Sequence, residues 1–193
     1  MLEINRYIKD AHSTSKKDSV SLELAGKIIL TLLAIWMGLI LIFKDPPWIF
    51  LDNVNLIIHE AGHFVFSGFG ELFQYLGGTI LQLLIPFLFA VYFLIKRNLF
   101  AFSFILFWIG DNFVNIAFYI KDAQARQLHL VGGGDHDWFY ILSRLGVLEQ
   151  SVGIGRIVNT LGILIIFIGL FFMIISLIHR IFSNPSSEIG ISS

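Results

Sequence analysis

The chain has 193 residues, 13 Lys and Arg against 14 Asp and Glu for a net charge of -1, and is 56% hydrophobic and 14% charged. A mean hydropathy of +0.79 lies far above the balance of a soluble domain and marks a membrane protein, and the near-neutral charge offers no basic surface for a nucleic-acid partner. The absence of cysteine excludes disulfides, thiolate metal sites and cysteine nucleophiles, so any metal must be held by His, Asp or Glu.

In chain order, residues 1–25 are polar and of mixed charge, without the basic start and immediate apolar stretch of a cleavable signal. They are expected to form a cytoplasmic segment ahead of a retained first span. A bilayer core takes roughly 20 apolar helical residues, and five stretches approach that length: 26–43, 49–69, 76–95, 99–120 and 153–181. The prolines of "KDPPW" end the first, and "KRN" at 96–98 separates the third from the fourth. Residues 121–152 form the one long polar break, with three consecutive glycines and a short amphipathic helix expected from Asp137 to Glu149. The expected fold is all-α, a polytopic transmembrane helical bundle of about five spans in one domain, residues 26–182, with a disordered tail at 183–193.

Lys and Arg bias sets orientation. With five crossings and the N-terminus inside, Arg6, Lys9, Lys16, Lys17, Lys27, Lys121, Arg126, Arg144 and Arg156 are cytoplasmic, and Lys44, Lys96, Arg97 and Arg180 are outside, nine against four. A re-entrant second stretch would make the split eight against five. The larger bias favours five crossings and places 121–152 on the cytoplasmic side.

The second stretch carries "LIIHEAGHFVF". His59 and His63 are one helical turn apart on one face, a spacing that suits two imidazoles holding one zinc ion. Glu60 projects about 100° around the helix from His59, near enough to hold a zinc-bound water and take its proton as that water attacks a carbonyl. Ionisable groups within a span cost at least about 2.5 to 3.5 kcal/mol and usually mark function. Gly62, between the ligands, would let another helix or an extended substrate approach the metal.

A third protein ligand is needed, with one position left open. "GGGDHDW" offers Asp135, His136 and Asp137; the same stretch also suits a glycine turn followed by an aspartate N-cap. Asp137 is favoured because one carboxylate brings the site to a net charge that Glu60 neutralises. His136 stays open as a ligand or as a donor to a developing oxyanion.

In the fourth span, Asp111, Asn112, Asn115, Tyr119 and Asp122 recur at spacings of three and four, so one polar face should look inward. Asp111, Asn112 and Asn115, with Asp135, are candidates to orient the histidines or hold a substrate backbone, and Asp111 is an alternative third ligand. In the third span Gln82 is the one strongly polar residue, Gly77 and Gly78 open the helix, and Pro86 should kink it. His129 and His179 read as solvated or interfacial, and the four Trp as packing and interface anchors.

A membrane-embedded "HEAGH" followed through later spans by an aspartate-bearing motif resembles the site-2 protease family of intramembrane zinc metalloproteases. The resemblance covers about residues 49–150. It implies zinc bound by His59, His63 and an aspartate, Glu60 as catalytic base, a peptide bond in a membrane-embedded or juxtamembrane protein as substrate, and a bacterial inner membrane as location. The family's third ligand usually sits in an Asn-Pro-Asp-Gly-like stretch, which this chain lacks; "GGGDHDW" would replace it, and no PDZ domain is present. Two rival functions use the same residues: zinc-dependent hydrolysis of a lipid amide, and non-catalytic metal binding or transport with Glu60 as ligand or counter-charge.

Overall fold

The computed structural model describes residues 2–128 and 135–183, with side chains described from residue 21 onward. His129, the triple glycine and the tail beyond Ser183 lie outside the described residues. Every regular element among those described is helical: α1 (Leu2–Phe43), α2 (Phe50–Phe66), α3 (Glu71–Ile95), α4 (Leu99–Asp122), α5 (Asp137–Arg144) and α6 (Ser151–Phe182). Among the described residues, four helical stretches are long and apolar enough to cross a membrane: Ser21–Phe43 within α1, α3, α4, and α6 with the turn before it. The protein is an integral membrane protein.

Local chemistry sets the boundaries. Pro46 and Pro47 prevent α1 from continuing, and the helix runs back without interruption through the polar N-terminal segment, which holds no proline. α2 has 17 residues, about 25 Å at 1.5 Å per residue, and is not among the four. It ends in a 3-10 turn and then Gly70 at φ +94, backbone that disfavours any side chain. α5 stops at Arg144, short of the expected Glu149, because Gly146 takes φ +68 and the N–H of Val147 turns back to the Leu142 carbonyl at 3.0 Å. α3 runs unbroken through the buried Pro86.

α4 and α6 pack antiparallel along two matching stripes of small residues. Gly155, Gly162 and Gly169 recur every seventh residue of α6 and face Ala117, Gly110 and Ser103 of α4. A Cβ on Gly162 would stand 2.8 Å from the Gly110 carbonyl oxygen, and one on Gly169 would stand 2.7 Å from the Phe107 nitrogen. In lipid, where apolar burial drives little association, such backbone approach maximises dispersion contact. Ala34, Met37 and Leu41 of α1 close over Phe107, Val114, Ile166 and Met173 to complete one apolar core. A second cluster seats Leu142 of α5 against Ile116 and Ile120 of α4, which anchors the short helix.

Lys27, Lys96, Arg97 and His179 line one cavity, and Glu23 pairs with Arg180 at 3.7 Å. The start of the apolar part of α1, the α3–α4 turn and the end of α6 therefore share one end of the bundle. The five-crossing count places Lys27 on the opposite side from Lys96, Arg97 and Arg180. The difference arises at α2, whose 17 residues bury the polar side chains Asp52, Asn55 and His59.

Replacing Gly162 by Leu should wedge α4 from α6 and cost roughly 1–3 kcal/mol, seen as a lower midpoint in thermal unfolding in detergent. Gly153→Ala is the matched control. A Cβ there meets open space, so the midpoint should hold or rise with the better helix former.

Candidate metal centre

α2 presents Asp52, Asn55, His59 and Gly62 on one buried stripe, at spacings of three and four. At Gly62 the backbones of α2 and α3 touch. A Cβ there would overlap the Gly77 carbonyl, and a Cβ on Gly78 would stand 2.5 Å from His59 Nε2. The glycine between the two histidines thus admits a helix, α3, and Gly78 leaves room for the imidazole itself. Gly77 and Gly78 serve this packing.

Both imidazoles are held at Nδ1 and present Nε2 to the same point. His63 Nδ1 lies 2.7 Å from the Gln74 carbonyl oxygen, a pure acceptor, so Nδ1 carries the proton. His59 Nδ1 lies 3.0 Å from Gln82 Oε1, and a chain of amides fixes the direction of that bond. Asp52 Oδ2 accepts from the Ile49 N–H at 2.6 Å and Oδ1 accepts from Asn115 Nδ2 at 2.8 Å. Asn115 Oδ1 must then accept from Gln82 Nε2, at 3.0 Å, which turns Gln82 Oε1 toward His59. Nδ1–H donates, and Nε2 keeps its lone pair for a ligand.

That lone pair meets Asp137, the first residue of α5. Asp137 Oδ2 is 3.0 Å from His59 Nε2 and 3.3 Å from His63 Nε2. Among the described residues, His59, His63 and Asp137 form the cluster able to hold a metal ion, with one ligand atom from each within 4.8 Å of the others. Ligands about 2.0–2.1 Å from a tetrahedral zinc stand about 3.3 Å apart; the two Asp137 distances match that spacing, and two imidazoles with one carboxylate are a donor set that suits the ion. The Asp137 N–H points to the Tyr119 hydroxyl at 3.4 Å. Burial would raise the Asp137 carboxyl, yet the two imidazoles, which share a proton with it at Nε2 whenever no cation takes those lone pairs, hold it below the usual carboxylate range.

His136, kept open by the sequence as a ligand or oxyanion donor, is not brought to the cluster. It is the N-cap of α5: Nδ1 accepts from the Phe139 N–H at 3.2 Å, and the opposite nitrogen, Nε2, faces Asp122 Oδ2 at 3.3 Å. Burial lowers its basicity more than Asp122 raises it, in keeping with a neutral ring whose Nδ1 is an acceptor. The cap at this turn is the histidine and not the aspartate. Asp111, the alternative third ligand, is fully buried away from the cluster and accepts from Asn55 Nδ2 at 2.8 Å. Asn112 donates to its own helix at the Trp108 carbonyl, 2.9 Å. Of the four positioning candidates, Asn115 holds the amide chain, and Asp135, exposed at the rim, accepts from the Tyr75 hydroxyl at 3.2 Å.

The cluster opens into a cavity of about 610 Å³. Pro46, Pro47, Trp48, Leu56 and Phe118 make its apolar wall, and Glu60, Glu71, Gln74 and Asp135 make the polar side. No Lys or Arg is among the described residues that line it. Glu60 thus shares the open space beside both histidines. Asp52, Asn55 and Gln82 belong to the hydrogen-bond network behind His59, a place the sequence reading did not give them. Asp52 and Asn55 continue the His59 stripe, and Gln82 is the lone polar residue of its span, so a signal existed for each. Trp108, read as an anchor, donates through Nε1 to Asn55 Oδ1 at 2.7 Å, and Trp48 lines the cavity. Comparison with family models, curated proteins and solved structures returned no match.

Gln82→Leu cuts the amide chain while leaving every metal-cluster residue in place. It should weaken divalent-ion affinity about 10- to 100-fold, measured by competition with a chelating dye. Gln82→Glu, with its carboxyl protonated, keeps both a donor for Asn115 Oδ1 and an acceptor for His59 Nδ1 and should recover most of the loss.

Proposed function

We propose that this chain is an intramembrane zinc metallopeptidase that hydrolyses a peptide bond in a membrane-embedded or juxtamembrane segment, in keeping with its resemblance to the site-2 protease family. The observation that carries this reading is the meeting of His59, His63 and Asp137 at one point, with Glu60 lining the same cavity. His59, His63 and Asp137 hold the ion. When bound, zinc supplies Lewis acidity, which polarises a carbonyl and brings the pKa of a water to about 7.

The chain's own groups do the rest. Glu60 accepts the proton of the attacking water and returns it to the leaving amine. The Tyr119 hydroxyl, which accepts from the Asp137 N–H, keeps its own proton to donate toward a developing oxyanion. The apolar wall from Pro46 to Phe118 receives hydrophobic side chains and limits water. A cavity of about 610 Å³ is within the usual range for ligand sites. Its described lining holds four carboxylates and no Lys or Arg, which favours a peptide over an amide lipid with an anionic phosphate headgroup.

The proposed topology has four crossings, with α2 packed by its polar stripe against α3 and α4 and not counted as a crossing. Arg6, Lys9, Lys16, Lys17, Lys27, Lys96, Arg97 and Arg180 then share one side, and Lys44, Lys121, Arg126, Arg144 and Arg156 the other, eight against five. The bias makes the N-terminal side cytoplasmic and opens the metal centre to the opposite face.

Purified protein should carry one zinc per chain, and His59→Ala with His63→Ala should remove it. Glu60→Gln should keep the zinc and lower cleavage of membrane-segment peptides by about 10²- to 10⁴-fold, followed by mass spectrometry. Full zinc with unchanged cleavage in Glu60→Gln would remove Glu60 as the base.

A further inference from the structure

At the end of the bundle away from the metal centre, cationic side chains from three places meet around a cavity of about 530 Å³. Lys27 comes from α1, Lys96 and Arg97 from the α3–α4 turn, and His179 from the last turn of α6. Asn98 and Ser176 add neutral polar groups, and no carboxylate is among the described residues that line the space. Glu23, which pairs with Lys27 at 2.6 Å and with Arg180 at 3.7 Å, belongs to the same end without lining it.

The backbone at Arg97 sets how that turn presents its side chain. The Asn98 N–H returns to the Phe93 carbonyl and the Arg97 N–H to the Leu94 carbonyl, each at 3.0 Å, and Arg97 sits between them at φ +52. This is the helix-ending turn whose left-handed position is ordinarily glycine. The chain instead places an arginine in backbone that disfavours side chains, and that arginine faces the cavity rim. The same turn delivers the N-terminus of α4, capped by Asn98 accepting from the Ala101 N–H at 3.1 Å, so the positive end of that helix's dipole adds to the field. Leu99, Phe100 and Ile175 continue the lining in apolar material.

We propose that this cavity binds a phosphate group, with Lys96, Arg97 and Lys27 as its cationic contacts. Basic pockets between transmembrane helices suit phospholipid headgroups, and a soluble phosphate offers the same chemistry. The site is independent of the metal centre and of the peptidase reading.

The test is thermal unfolding of the full chain in neutral detergent, titrated separately with short-chain phosphatidylglycerol, short-chain phosphatidylcholine and inorganic phosphate. Phosphatidylglycerol should raise the midpoint saturably. Arg97→Gly, which relaxes the turn while removing the charge, should weaken that response about fivefold, and adding Lys96→Gln should weaken it about fivefold further. Arg126→Gly is the control. Arg126 also has a left-handed φ, of 50°, at the other end of the bundle, so the backbone change is alike while the response should be unchanged. Saturable stabilisation by inorganic phosphate, lost in Arg97→Gly, would support the site with a soluble ligand. An equal response to phosphatidylcholine, or a response unaltered by Arg97→Gly, would overturn the proposal.

Discussion

One carboxylate oxygen, Asp137 Oδ2, stands 3.0 Å from one imidazole and 3.3 Å from another, and the arrangement of three helices depends on it. A carboxylate taken out of water is costly unless it is paired. In the protein as described its partners are His59 and His63, one turn apart on α2. The meeting requires α2 to lie against α3, which the Gly62 and Gly77 contact allows, and α5 to fold back on α4, which Leu142 anchors against Ile116 and Ile120. His136 secures the start of α5 by capping it, so that the neighbouring aspartate is free to face the histidines.

Behind His59 the polar groups form a directed chain and not a diffuse polar patch. The Asp52 carboxylate can only accept, and that fixes in turn the orientation of Asn115, of Gln82 and of the imidazole. Buried polar groups are costly when half satisfied and rigidifying when complete. Here the consequence is chemical: the same chain that satisfies three buried residues also leaves Nε2 as the free nitrogen. His63 reaches the same state more simply, through one backbone carbonyl of α3.

Much of this was legible in the sequence, for identifiable reasons. Long apolar runs located α1, α3, α4 and α6 because hydropathy over some 20 residues is set by composition alone. The His59, Glu60 and His63 spacing implied one helix face, and the cost of ionisable groups in an apolar setting singled it out. Asp137 could be favoured over His136 from charge, although only the fold shows that the histidine is taken by the helix cap. The status of α2 was less legible. Hydropathy of 49–69 reads as a span, whereas Asp52, Asn55 and His59 along one face mark a helix whose polar stripe needs partners on α3, α4 and α5. The stripes of small residues that join α4 to α6, recurring every seventh position, were present in the sequence, but glycine is common in membrane helices and its partner cannot be read without the fold.

Asp137 brings the third ligand atom to the cluster able to hold a metal ion, from a distant part of the chain. The most direct test is the zinc affinity of two adjacent substitutions measured side by side. Asp137→Ala removes the proposed ligand, and His136→Asn removes the imidazole while keeping a side chain that caps helices well. Zinc affinity should collapse in Asp137→Ala and stay near wild type in His136→Asn. Wild-type affinity in Asp137→Ala, or its loss in a folded His136→Asn, would contradict the account.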